Sequence, residues 1–228
     1  RGRGRDRARA SRMTPEAAAD FVVAETAIGR APLVPELALY LASEITPIWQ
    51  ASEARLARQG VEPPYWAFAW PGGQALARFV LDAPDQVAGR RVLDLAAGGG
   101  IAAIAAARAG AAAVTAAEID PLAIAAIRAN AALNGVEIAL LPGDALLSPA
   151  DHEVILAGDV CYEARMTARV VPWLREAAGR GIAVLLADPG RAYLPRAGLV
   201  MLARYQVAVT RELEDRLIRE TTVYRVLP

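Results

Sequence analysis

The chain is 228 residues long, 55% hydrophobic and 22% charged, with 25 basic residues balanced by 25 acidic ones. This composition can bury a full core and excludes a disordered polypeptide. No uninterrupted apolar run reaches the roughly eighteen residues of a membrane span, and no apolar signal segment opens the sequence. A lone cysteine, Cys161, excludes an internal disulfide and fits a reducing compartment. A lone histidine, His152, leaves no histidine-based zinc site and little room for Ser-His-Asp chemistry. All 25 basic residues are arginine. Residues 1–12 carry six of them against Asp6, a net +5, so the rest of the chain is net −5. Residues 1–12 are therefore expected to be a disordered basic arm or a non-native extension. Residues 13–61 are expected to be a helical cap, and residues 62–228 the main domain.

In chain order, Thr14-Pro15-Glu16 opens a helix with a cap, a first-turn proline and an early acid. A second helix is expected ahead of Pro47 and a third over about Pro47 to Arg58. The segment from Pro63 to Gly73 is too rich in Pro and Gly for a helix, and it holds Tyr65, Trp66, Phe68 and Trp70. A helix from about Gly73 to Leu81 follows. Short apolar runs then predict strands at 91–96, 113–118, 137–142, 153–158 and 182–187, with helices at 100–109, 121–133 and 164–178. Continuous apolar strands alternating with helices predict a doubly wound α/β domain with a parallel sheet covered on both faces. Two closing strands, about 205–212 and 221–227, read as an antiparallel pair.

The run from Arg91 through Asp94 to Gly98-Gly99-Gly100 is a strand, a tight turn and a helix start, a shape that brings backbone close to a ligand. Gly98-x-Gly100-x-x-Ala103 also fits the loose dinucleotide fingerprint, which alone is a weak signal. Asp94 lies before the glycines, where dinucleotide binders keep an apolar residue. Glu118 ends the next strand, where a carboxylate can accept ribose hydroxyls. Asp144 and Asp159 follow later strands, so four acids are expected at the carboxyl ends of the sheet.

Asp94-Leu95-Ala96-Ala97-Gly98-Gly99-Gly100 resembles the first motif of the class I, seven-strand S-adenosylmethionine (SAM) methyltransferases, with Ala96 in place of the first glycine. The resemblance implies a Rossmann-like fold: a mostly parallel seven-strand sheet with an antiparallel last strand, here preceded by the helical cap. It implies SAM as cofactor, S-adenosylhomocysteine as product, and Asp94, Ala96, Gly98, Gly100, Glu118 and Asp144 as cofactor-binding positions. No metal is implied.

Three further segments narrow the resemblance: Pro63 to Gln74, Gly158-Asp159-Val160-Cys161-Tyr162-Glu163, and Ala187-Asp188-Pro189-Gly190-Arg191 through Pro195. They are similar to the electron transfer flavoprotein β-subunit lysine methyltransferase family, over about residues 14–228. That family implies protein-lysine methylation, with the flavoprotein β subunit as partner and a ribosomal stalk protein as a further one for some bacterial members. It implies Trp70 at the cofactor, and Asp159 with Tyr162 at the methyl-transfer point. Tyr65, Trp66 and Phe68 are expected to wall a channel for an alkylamine, by cation–π contact and water exclusion, or to clasp the cap to the sheet. The acidic body suits a lysine-bearing target. No membrane partner is expected, and a nucleic-acid substrate is disfavoured because Pro63-Pro64-Tyr65-Trp66 lacks the preceding Asn and comes before the cofactor motif. The expected compartment is the bacterial cytoplasm, or the mitochondrial matrix for a eukaryotic chain. Small-molecule N-methylation and a NAD-dependent oxidoreductase remain as alternatives. His152 is expected at the surface, Cys161 in packing, and Asp188 to Arg191 either in a plain turn or at the substrate.

Overall fold

The computed structural model describes residues 14–42, 64–209 and 217–228. Helix α1 (Pro15–Glu25) starts as its sequence predicts, with the Thr14 side chain accepting the Ala17 N–H. The next described stretch differs from expectation. Ahead of Pro47, residues up to Ala42 form an antiparallel hairpin of β1 (Ala27–Arg30) and β2 (Ala38–Leu41) rather than a second helix. Pro32 and Pro35 interrupt any helical run there. The expected helix over Pro47 to Arg58, the arm at 1–12 and the connection at 210–216 lie outside the described residues.

Tyr65–Ala67 make a single 3-10 turn, and α2 (Pro71–Asp82) begins two residues earlier than predicted, at its first-turn proline. The alternation then runs close to the sequence pattern: β3 (Arg91–Leu95), α3 (Ile101–Arg108), β4 (Ala113–Glu118), α4 (Pro121–Leu133), β5 (Ala139–Pro142), β6 (Val154–Gly158), α5 (Ala164–Gly179) and β7 (Ala183–Asp188). The last two strands, β8 (Leu199–Ala208) and β9 (Ile218–Val226), start earlier than their hydrophobic runs suggested.

Seven strands form one sheet in the order β5-β4-β3-β6-β7-β9-β8. The pairs from β5 to β7 are all parallel, and β9 runs antiparallel between β7 and β8. The seven-strand fold with an antiparallel last strand is thus as expected. Val154, Ile155, Leu156 and Ala157 of β6 are all buried, because helices cover both faces of the central strands. Each large apolar side chain taken fully from water there stabilises the fold by roughly 1.5–3 kcal/mol. One core cluster joins α2 and α3 to the sheet and a second joins α5; α1, α4 and Trp66 form a third. Helix α3 is alanine-rich, and its small side chains from Ile101 to Ala106 are buried.

The chain moves outward from β3 through β4 to β5, then returns to the other side of β3 with β6. This reversal opens a crevice at the carboxyl ends of β3 and β6, where open α/β sheets bind ligands. Asp94 is paired in register with Leu156 of β6, so Asp94 and Asp159 lie at neighbouring strand ends beside that crevice.

Candidate active site

A cleft of about 1390 Å³ lies over these strand ends. Of the expected site residues, Tyr65, Trp66, Phe68, Trp70, Asp94, Ala96, Gly98, Glu118, Asp144, Asp159 and Tyr162 line it, whereas Gly100 is buried at the end of the glycine turn and does not.

The glycine turn is built from the strand upward. Ala96 has φ 55, Gly98 φ 54 and Gly100 φ 81, so the chain turns through left-handed backbone three times between β3 and α3. Glycine takes this conformation freely, whereas the alanine methyl group crowds its own carbonyl. Ala96 therefore carries strain where the related motif has glycine. A Cβ on Gly99 would lie 2.7 Å from the Trp66 carbonyl oxygen, so this position also requires glycine. Asp94 Oδ2 accepts the Ala103 N–H at 2.9 Å and ties β3 to the first turn of α3. Burial, opposed in part by that hydrogen bond, pushes the Asp94 carboxyl up to about 7. Glu118 Oε2 accepts the Gly98 N–H at 3.0 Å, and Oε1 accepts the Ile119 N–H at 2.7 Å. Burial raises its pKa against those same bonds. Asp144 caps the short turn at Ala145–Leu147 and pairs with Arg169, which lowers its pKa.

Across the cleft, Asp159 follows β6 with φ 55. Its Oδ2 accepts the Gly73 N–H at 3.1 Å, at the start of α2, where the preceding residue, Trp70, offers no side-chain cap. A Cβ on Gly72 would lie 2.6 Å from that same Oδ2, so the carboxylate fits there only because residue 72 is glycine. Oδ1 faces Arg191 Nη2 at 3.5 Å, an ion-pair distance without a hydrogen bond. Burial pushes the Asp159 carboxyl up to about 7, with Arg191 acting against the rise and Asp188 adding to it.

The aromatics divide by role. Tyr65 lies tilted at 5.8 Å from Tyr162 and 6.0 Å from Trp70, and Phe68 lies edge-on 6.0 Å from Trp70, so four rings edge the mouth beside Asp159. The Trp70 indole N–H donates to the Tyr65 carbonyl at 2.8 Å. Trp66 differs: only 2% exposed, it packs with Ala18 and Val22 of α1 and Leu122 and Ala126 of α4. Its indole is the clasp of the cap, while its main chain borders the glycine turn.

Two amides that sequence reasoning missed organise the surroundings. Buried Asn130 donates from Nδ2 to the Gly99 carbonyl at 2.8 Å and accepts the Tyr40 N–H on Oδ1 at 2.7 Å, joining the glycine turn to β2. Buried Gln74 accepts the Leu33 N–H and donates to the Ala69 carbonyl, joining the hairpin to the aromatic segment. Their only signal was an amide at an apolar helical position. Cys161 is buried and its thiol is pushed up to about 12 by burial, which makes it a packing residue and no nucleophile at neutral pH. His152 is partly buried, not fully at the surface. Among the described residues, no cluster of His, Cys, Asp and Glu is placed to hold a metal ion, and no helix is long and apolar enough to cross a membrane.

Residues 75–161 match the ribosomal protein L11 methyltransferase (PrmA) family. The electron transfer flavoprotein beta subunit lysine methyltransferase of Xenopus laevis is 36% identical over 215 residues, which cover 91% of this chain and 86% of that protein. The chain belongs to the electron transfer flavoprotein β-subunit lysine methyltransferase family. Two solved methyltransferase-like folds agree with the architecture. Trm5b from Pyrococcus abyssi superposes with a TM-score of 0.55 at 17% identity, over 90% of this chain and 57% of that one. Magnesium protoporphyrin IX methyltransferase (ChlM) from Synechocystis PCC 6803, solved with bound SAM, gives 0.50 at 16% identity, over 68% and 79%.

As a member of the lysine methyltransferase family, the protein is a SAM-dependent enzyme. Its residues fit that cofactor. Gly98 has no side chain where the turn lines the cleft, which leaves its backbone open to a ligand, and Glu118 stands at the end of β4 with both oxygens already oriented by backbone N–H groups. The aromatic mouth lies opposite, over the same cleft.

Proposed function

We propose that this protein methylates lysine side chains of the electron transfer flavoprotein β subunit. The reading is carried by the relationship to the named lysine methyltransferases over most of both chains. The position of Asp159, at an aromatic mouth across the cleft from the glycine turn, supports it. Trp70, Asp94, Ala96, Gly98, Gly100, Glu118 and Asp144 hold the cofactor, with Glu118 toward the ribose hydroxyls. Bound SAM supplies an electrophilic methyl group on a sulfonium: the amine lone pair forms the new N–C bond, and the broken C–S pair stays on sulfur.

The chain's own residues prepare the acceptor. A lysine amine has a reference pKa of about 10.4 and no lone pair while protonated. Tyr65, Phe68 and Tyr162 enclose its alkyl stem and exclude water, which favours the neutral form. Asp159 orients the nitrogen through Oδ1, while Oδ2 remains fixed by Gly73. The proton passes to solvent before attack. Alignment of this kind can lower a barrier by about 7–11 kcal/mol in the best cases. The compartment that accompanies this reading is the reducing one expected from the lone cysteine, the bacterial cytoplasm or, for a eukaryotic chain, the mitochondrial matrix.

Intact-mass spectrometry of the purified flavoprotein, incubated with this protein and SAM, tests the substrate. Methyl-sized increments on the β subunit are expected. This chain contains no lysine, so every methyl-lysine in the digest comes from the added protein. The match of residues 75–161 to L11 methyltransferases favours ribosomal protein L11 as the second substrate to assay. Methylation of L11 with an unmodified β subunit would overturn the first assignment in favour of the second.

A further inference from the structure

Asp159 has two oxygens in two different situations. Oδ2 is held by the Gly73 N–H, whereas Oδ1 accepts no hydrogen bond among the described residues and faces Arg191 Nη2 at 3.5 Å. The Arg191 side chain is 21% exposed and that of Asp159 13%, and both line the cleft beside Tyr162. Arg191 is delivered by a built turn. Strand β7 lies next to β6, with the Asp159 N–H donating to the Ala187 carbonyl at 3.0 Å, and Asp188 Oδ1 accepts the Arg191 N–H at 2.6 Å. Gly190, at φ 81, completes the reversal. The turn is therefore held by backbone and by Asp188, and it brings the guanidinium to ion-pair distance from the Asp159 carboxylate.

We propose that Arg191 is the counter-ion of Asp159 and a positioning residue for the methyl acceptor: it opposes protonation of the carboxylate and, standing beside the incoming nitrogen, disfavours the ammonium form so that the amine gives its proton to solvent. This inference rests on the lysine methyltransferase reading above.

Asp159 alone would serve poorly. A buried carboxylate next to a second one takes up a proton, and a carboxylate that stays ionised stabilises the very ammonium that cannot react. A guanidinium at ion-pair distance opposes both effects, because the two charges largely cancel at a nitrogen placed beside the pair. The pair is slack, 3.5 Å and without a hydrogen bond, so the acceptor capacity of the buried Oδ1 is not used by Arg191, and a small shift of the guanidinium would open it to the nitrogen. Arginine also offers no amine for the enzyme to methylate, since it stays protonated at any ordinary pH. The other groups facing Asp159 agree with this assignment. Asp188 is a buried negative charge on the β7 side. Cys161 is neutral at ordinary pH, and the Gly72 and Gly73 N–H groups face it from α2. Tyr162 stands beside it on the loop after β6, and Glu163, Arg165, Asp94 and Glu118 line the wider cleft.

The test uses Arg191→Gln and Arg191→Lys, neither of which removes the backbone N–H that anchors the turn. The first readout is a carbon-13 NMR titration of the Asp159 carboxyl in ligand-free protein, assigned by its loss in Asp159→Asn. Arg191→Gln is expected to raise the midpoint by about one pH unit or more, and Arg191→Lys to hold it near wild type. The second readout is kcat against pH at saturating SAM. The acid limb is expected to move upward by about one unit in Arg191→Gln, roughly a tenfold loss on that limb, with recovery at alkaline pH and in Arg191→Lys. An unchanged midpoint, a loss uniform across pH, or a change confined to KM would overturn the proposal. If the wild-type enzyme leaves the flavoprotein unmodified, the substrate reading has failed, and the NMR titration decides the role of Arg191 by itself.

Discussion

The backbone N–H of Gly73 reaches Oδ2 of Asp159 over 3.1 Å, although 86 residues separate them in sequence. The carboxylate at the mouth of the cleft thus also caps α2, because Trp70, the residue preceding the helix, provides no side-chain oxygen. Removing Asp159 acts on stability and on chemistry together, and two substitutions separate the effects. Asp159→Asn keeps an acceptor for Gly73 and is expected to melt near wild type. Asp159→Ala is expected to lose about 1 kcal/mol, as for a missing cap. Both are expected to lose methyl transfer by roughly 10²-fold or more through misplacement of the acceptor. SAM affinity, read by calorimetry, should stay within a few-fold in both variants. An equal collapse of SAM binding would reassign Asp159 to the cofactor.

Ala96 sits at φ 55 where the related motif has glycine. Left-handed backbone costs a non-glycine residue about 1–2 kcal/mol, partly offset by the greater freedom of an unfolded glycine. Ala96→Gly is expected to stabilise the protein by about 1 kcal/mol, a rise of about 2–4 °C in Tm for a chain of this size. Calorimetry checks it, and a lower Tm would show that the methyl group packs usefully.

Asn130 and Asn134 stand one turn apart on α4 and its C-terminal cap, and both bond to β2, but only Asn130 also holds the glycine turn. Asn130→Ala leaves the Gly99 carbonyl and the Tyr40 N–H without these partners, at a cost of about 2–3 kcal/mol. It is also expected to weaken SAM binding. Asn134→Ala should lower stability while leaving SAM affinity near wild type, since its bonds go to Ala38 and Asn130. Equal affinity losses in the two variants would mean that the hairpin, not the direct bond, holds the turn.

Asp94 is buried and titrates at about 7, against about 3.9 expected in the unfolded chain. A carboxyl raised on folding favours the fold while protonated. Its contribution is complete below about pH 4 and is lost as pH rises through about 7, on the order of 2–4 kcal/mol in total. Asp159 works in the same direction, and His152, lowered by burial, works in the opposite one. The difference between wild type and Asp94→Asn isolates the single group. Urea denaturation from pH 4 to 8 should show the wild type losing ground steadily to the variant. Parallel stability curves would mean that Asp94 stays ionised throughout.

The alternation of strands and helices from Arg91 to Asp188 was legible in the sequence, because continuous apolar runs and capped helices are local signals. The glycine turn and the acids at the strand ends were legible for the same reason, and so was the antiparallel course of the last strand. Other features are decided by residues far apart. The hairpin at Ala27–Leu41 turns over Pro32 and Pro35, and the outer edge of its second strand is satisfied by amides of Asn130 and Asn134 some 90 positions away. Trp66 and Trp70 are alike in sequence, yet one is sealed between α1 and α4 and the other stands at the cleft, which packing alone selects. Asp159 could be read from its motif, but its tie to α2 and its arginine counter-ion arise only where β6, β7 and α2 converge. Burial sets the charge of Asp94 and Asp159. The sequence names the carboxylates, and the tertiary structure, by removing water from around them, decides what they do.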